Sequence, residues 1–143
     1  STARLFRDKL AMRTKARELG IRVPDFTGIA HHWAVTDFLA RVPPPWLMKP
    51  RSEASAAGIR TFRHADDVWQ RIHELGDDQS FYLLEQMVPG DLYHVDSLVR
   101  NGEVIFAEVN AYLRPLLDVY HGGGIYGTRT VPRDRPEVTA LRA

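Results

Sequence analysis

The chain has no cysteine. That excludes a disulfide framework, a thiolate metal site and a cysteine nucleophile. It also has almost no net charge, since 19 basic residues against 18 acidic ones leave +1. So small an excess removes the strongly basic nucleic-acid binder as a default. No apolar run approaches the ~18 residues that a bilayer-spanning helix needs, and the first residues are not those of a signal peptide. The expectation is a soluble, cytoplasmic chain with neither a nucleic acid nor a membrane as partner. Lysine is scarce as well: Lys9, Lys15 and Lys49 are the only three among the 19 basic residues. The position of each therefore merits separate attention.

At 143 residues the chain has about one domain's length, enough to bury roughly two-thirds of its unfolded surface. Apolar residues at helical spacing predict a helix over Asp8 to Leu19, ended by Gly20. An extended piece is expected at Ile21 to Pro24 and a short helix at Thr36 to Val42, stopped by Pro43-Pro44-Pro45. Trp46 to Met48 reads as a strand, Arg51 to Gly58 as a loop, Ile59 to Phe62 as extended, and Asp66 to Leu75 as a helix. Phe81 to Met87 is a strong strand that Pro89-Gly90 interrupts. Leu92 to Arg100 and Glu103 to Tyr112 alternate around Asn101-Gly102, the clearest hairpin in the chain. The pattern weakens after Tyr112, and Pro136 to Ala143 reads as the start of a helix. Helices and strands interleave, but the hairpin demands antiparallel pairing, which favours an α+β fold.

Three stretches could carry chemistry. Lys49 ends an apolar strand just before Ser52-Glu53-Ala54-Ser55-Ala56-Ala57-Gly58. Small side chains let main-chain N–H groups approach a polyanion, and a nearby lysine supplies charge. The bland alternative is a surface hairpin with a solvated lysine. In the second stretch, from Phe81 to Gly90, an apolar strand reaches Glu85 and then breaks, and its free edge could meet a flat heterocycle. Here the alternative is an ordinary buried strand leaving its sheet. Third, His94 and Asp96 share one face of a strand. That face could bind phosphate or metal, or could simply be the hairpin's solvated side. There is no Walker A pattern and no G-x-G-x-x-G.

Taken together these pieces resemble the ATP-grasp superfamily of carboxylate–amine and carboxylate–thiol ligases, including biotin-carboxylase-like and carbamoyl-phosphate-synthase-like members. The resemblance lies in Arg7-Asp8-Lys9 opening a helix that leads to Gly20-Ile21-Arg22-Val23-Pro24, in Leu47-Met48-Lys49-Pro50 running through Ser55 to Gly58, in Leu84 to Asp91, and in Tyr93-His94-Val95-Asp96. It implies an α+β fold of two lobes gripping ATP, with residues 1–84 forming the first lobe and 85–143 the hinge and part of the second. It implies that Lys9 and Lys49 reach the phosphates from opposite sides. Ser55, Gly58 and their loop would close over the phosphates. The segment Glu85, Gln86, Met87 and Val88 would hold adenine, and His94 would face the triphosphate. The activity implied is ATP-dependent activation of a carboxylate as an acyl phosphate, followed by attack of an amine or other nucleophile.

The chain departs from the family at Leu92, where many relatives carry a ribose-binding carboxylate whose place Asp91, one residue earlier, would take, and in a phosphate loop poor in glycine. The reaction needs Mg²⁺. Glu108-Val109-Asn110, with Arg114, echoes the family's metal pattern but lies too close to Glu85. The metal ligands, like a preceding domain, are expected in flanking sequence. The alternative function is a non-catalytic module of the same architecture. His121-Gly122-Gly123-Gly124 without a nucleophile elbow reads as a glycine loop, and the remaining histidines as solvated or capping groups. Replacing Lys49 by Ala is expected to abolish activity at little cost to the fold.

Overall fold

The computed structural model describes residues 4–53 and 56–142. The chain divides into two units, the first running to Val88 and the second starting at Pro89. In the first unit, α1 (Arg4–Arg7) and α2 (Lys9–Glu18) precede β1 (Phe26–Gly28), α3 (His32–Arg41) and β2 (Trp46–Pro50). They are followed by β3 (Arg60–Phe62), α4 (Ala65–Leu75), a 3-10 turn over Gly76–Phe81, and β4 (Tyr82–Gln86). The sheet runs in the order β1-β4-β2-β3, with every pairing antiparallel.

Register divides this sheet into two different faces, because successive strand residues point to opposite sides. Trp46 lies opposite Phe62, and Met48 opposite Leu84. These four join Ile29, Val35 and Phe38, and Val68 and Ile72 of α4, in one apolar core. Burying a side chain of this size contributes about 1.5–3 kcal/mol, so this face holds the unit together. Leu47 and Lys49 of β2, Leu83 and Glu85 of β4, and Phe26 and Gly28 of β1 share the opposite face. Helix α2 touches that face through Leu10 and Arg17. A Cβ added to Gly28 would stand 3.1 Å from Leu10 Cδ2. The Arg17 guanidinium lies 4.0 Å over the Phe26 ring.

The second unit is a sheet of β5 (Tyr93–Arg100), β6 (Glu103–Tyr112) and β7 (Thr128–Thr130) in that order, with α5 (Leu116–Gly122) and α6 (Pro136–Arg142). Asn101 and Gly102 both take positive φ, which the two-residue hairpin turn requires. Val109, Ala111, Val131 and Val138 form its small core, with Tyr93 packed on them. No described helix is long and apolar enough to cross a membrane.

Three features differ from the sequence expectations. The strand before α3 forms at Phe26–Gly28, not at Ile21 to Pro24; Pro24 has no N–H for a ladder, and Ile21 is exposed. Helix α3 starts at His32, four residues before Thr36, because packing of Val35 and Phe38 sets it and no side chain caps it. The first compact unit runs through Val88, past residue 84. Strand β4 is central and pairs with β1 and β2 along its length, so Glu85 and Gln86 belong to the first sheet.

Gly58 has a φ of +71°, and a Cβ there would meet Pro50 Cγ at 2.8 Å. Backbone conformation and space both exclude a side chain. Gly58→Ala should therefore destabilise the first unit by about 1–3 kcal/mol, read as a lower denaturant midpoint at unchanged slope. An unshifted midpoint would show that the loop adapts.

Candidate functional site

The start of α2 is fixed to the strands by polar contacts. The Asp8 carboxylate caps the helix, accepting from the N–H groups of Leu10 at 3.0 Å and Ala11 at 3.3 Å. The same carboxylate takes both arms of Arg51, Nε at 3.0 Å and Nη2 at 2.5 Å. Arg51 Nη1 donates to the Ser80 carbonyl at 2.9 Å, while the Lys9 N–H donates to the Arg51 carbonyl at 2.8 Å. A forked guanidinium–carboxylate pair is directional as well as strong. It sets where the next residue, Lys9, stands.

The Lys9 ammonium donates to two main-chain carbonyls, those of Pro50 (3.0 Å) and Glu53. Burial pushes its pKa below the ordinary lysine value, and the positive charges of Lys49 and then Arg13 push the same way against Glu53 and Asp8. Lys49 points from β2 to Glu85 on β4 and bonds its carboxylate. The other oxygen of Glu85 accepts from Arg13 Nε at 2.6 Å. Glu85 is 1% exposed. One buried carboxylate thus serves two cations, and a third, Lys9, is close enough to be repelled by both. Positive charge is thus concentrated on the α2-covered face.

The adjoining chain leaves this cluster through Gln86 to Val88. The Gln86 amide donates to the Asp25 carbonyl at 2.8 Å, and the Met87 amide to the Pro45 carbonyl at 3.0 Å. Val88 is 61% exposed. Of the remaining expected residues, Gly58 closes the Arg51 to Gly58 loop against Pro50, Ser55 lies outside the described residues, and Asp91 is exposed.

His94 sits on β5 in the second unit. Its ring meets Tyr112 edge-on at 5.1 Å, its Nε2 lies 3.3 Å from Asp96 Oδ2, and its buried Nδ1 has no hydrogen-bond partner among the described residues. Asp96 Oδ2 also accepts from Asn110, whose own oxygen accepts from Thr130. Glu108 is engaged by Arg133 at 2.6 Å, a bond that holds its carboxyl below the usual range. Glu108 and Asn110 are therefore tied to side-chain partners, and among the described residues no three His, Asp or Glu side chains converge to hold a metal.

Sequence reasoning singled out Lys9, Lys49 and Glu85 but not Arg13, and assigned no role to Asp8 or Arg51. With basic residues mostly arginine, one more on α2 stood out little. The available signal was spacing: Arg13 lies one helical turn after Lys9, on the same face.

No protein-family model matches the chain. A curated relative, the L-arginine-specific L-amino acid ligase of Bacillus subtilis, is 28% identical over 122 residues, which cover 81% of this chain and 30% of that protein. Among solved structures, the N5-carboxyaminoimidazole ribonucleotide synthetase of Thermus thermophilus aligns with a TM-score of 0.63 at 24% identity, covering 85% of this chain and 31% of that one. A D-alanine–D-alanine ligase of Bacillus anthracis complexed with ATP aligns with a TM-score of 0.60 at 17% identity, covering 89% and 40%. These are ATP-grasp enzymes. The chain carries the ATP-grasp fold, over a minority of the length of each of these three proteins.

The lowered Lys9 pKa has a consequence for stability. Between its folded value and the ~10.4 of an unfolded lysine, the unfolded chain binds more protons, so stability rises with pH. Lys9→Met should remove that part of the rise. From pH 7 to 11 the urea midpoint of the wild type should rise relative to that of the variant, and a constant difference between the two would contradict the assignment.

Proposed function

We propose that this chain is the ATP-binding part of an ATP-grasp ligase that activates a carboxylate for attack by an amine. The observation that carries the reading is the cation cluster. Lys49 and Arg13 share one buried carboxylate and Lys9 stands close enough to be repelled by both, in a fold whose solved relatives include one holding ATP.

Lys9 and Lys49 neutralise phosphate oxygens, and the main chain at Val88, an exposed residue, meets adenine. Gln86 and Met87 hold that edge in place through amides already bonded inside the protein. Ser55, Gly58, Asp91 and His94 complete the proposed contact set. In the reaction a carboxylate oxygen attacks the γ-phosphorus and ADP departs. The amine then attacks the acyl carbon and phosphate departs. Phosphoryl transfer depends chiefly on positioned positive charge, which is what this cluster supplies. The relative's name, an L-amino acid ligase, supports an amino-acid carboxylate as the substrate class. Among the described residues no three His, Cys, Asp or Glu side chains converge on one point. Metal ligands are proposed to come from sequence outside this chain, and no step here is routed through them.

The test is calorimetric titration of the intact protein with ATP and with adenosine. Lys49→Met should weaken ATP by about tenfold or more, ~1.4 kcal/mol per factor of ten, and leave adenosine unchanged. Equal ATP affinity in mutant and wild type would refute the reading. The same change should lower stability by about 1–3 kcal/mol, because Glu85 loses one of two partners. The geometry thus predicts a larger cost to the fold than the sequence implied.

A further inference from the structure

We infer that Arg13 is a positioning residue whose bond to Glu85 frees Lys49 to leave that carboxylate for an anion. The inference rests on the reading of Lys49 as a phosphate contact and adds a residue to it.

Glu85 is 1% exposed, and its two oxygens are divided between Arg13 Nε at 2.6 Å and Lys49. A buried carboxylate stripped of its only cation is strongly destabilised. If Lys49 were that only cation, turning it toward a phosphate would incur this penalty, and binding would weaken by the same amount. With Arg13 in place, Glu85 keeps a charge-assisted partner wherever the Lys49 ammonium points. The two side chains suit this division. Arginine makes a planar, fixed contact, whereas lysine is a point charge on a flexible stem. The Arg13 side chain is 32% exposed and that of Lys49 17%, so neither is sealed in with Glu85. Arg13 also stands on the helix whose first residue is Lys9, so one element orients both cations.

This role differs from direct contact with the nucleotide and from simple support of the fold, and substitutions in two backgrounds separate the three. In the intact protein, Arg13→Gln should weaken ATP about tenfold and leave adenosine unaffected, with Arg13→Lys recovering part of the loss. In a Glu85→Gln background, where Lys49 has no carboxylate to leave, Arg13→Gln should not change the ratio of ATP to adenosine affinity. Persistence of the loss in that background would mean that Arg13 touches phosphate itself, and would overturn the inference. Equal weakening of ATP and adenosine would reduce Arg13 to a support of the fold, and no weakening would remove it from the site; either result overturns the inference. Failure of the underlying reading is recognised separately, by Lys49→Met binding ATP as well as the wild type does.

Discussion

A carboxylate buried in a sheet must be matched by positive charge, and in this protein that requirement fixes the position of a helix. Helix α2 has no buried residue of its own. It is held by Asp8 on Arg51, Arg13 on Glu85 and the Lys9 ammonium on the Pro50 carbonyl, with Leu10 on Gly28 and Arg17 on Phe26 as its flatter contacts. Apolar docking tolerates small slides, because it is not directional. Forked and charge-assisted bonds do not. A helix held in this way presents its first lysine at a defined place, and the position responds to any change of charge beneath it.

The sheet separates stability from chemistry by face. Trp46, Met48 and Leu84 point into the apolar core, while their chain neighbours Leu47, Lys49 and Glu85 point toward α2. A one-residue slip of β4 would exchange the two sets, turning Glu85 into the apolar core and Leu84 toward the cations. The apolar face therefore fixes the register that aligns the charged face. Mutations in the core should reach the cation cluster through that register even where they touch no charged group.

Periodicity revealed the long elements of the fold. Val68 and Ile72 at helical spacing marked α4, and the alternation around Asn101-Gly102 marked the hairpin. Of the three-residue strands, β3 showed as the extended run Ile59 to Phe62, whereas β1 and β7 were not legible and are defined by tertiary pairing with β4 and β6. Helix α3 lacked a capping side chain at its true start, so sequence placed that start too late. In the site, scarcity made Lys9 and Lys49 visible, and Glu85 stood out as a charge inside an apolar strand. Arg13 was hidden by the abundance of arginine. Its meaning depends on a contact with Glu85 that spans 72 positions, which no local pattern records.

The division of labour between the two basic residue types follows from their chemistry. Where the structure needs a fixed fork or a stacked plane it uses arginine: Arg51 across both oxygens of Asp8, Arg133 on Glu108, Arg17 over Phe26. Lysine appears at the two cluster positions where a single donor on a flexible stem meets carbonyls or shares a carboxylate. An arginine at position 49 could grip Glu85 with both arms, and the pair would then be too well satisfied to give up charge to an incoming anion. A lysine holds by one point and is more easily drawn away. The cluster is therefore stable enough to fold around Glu85 and incompletely satisfied at Lys9 and Lys49, and that imbalance is what makes it a candidate site for anion binding.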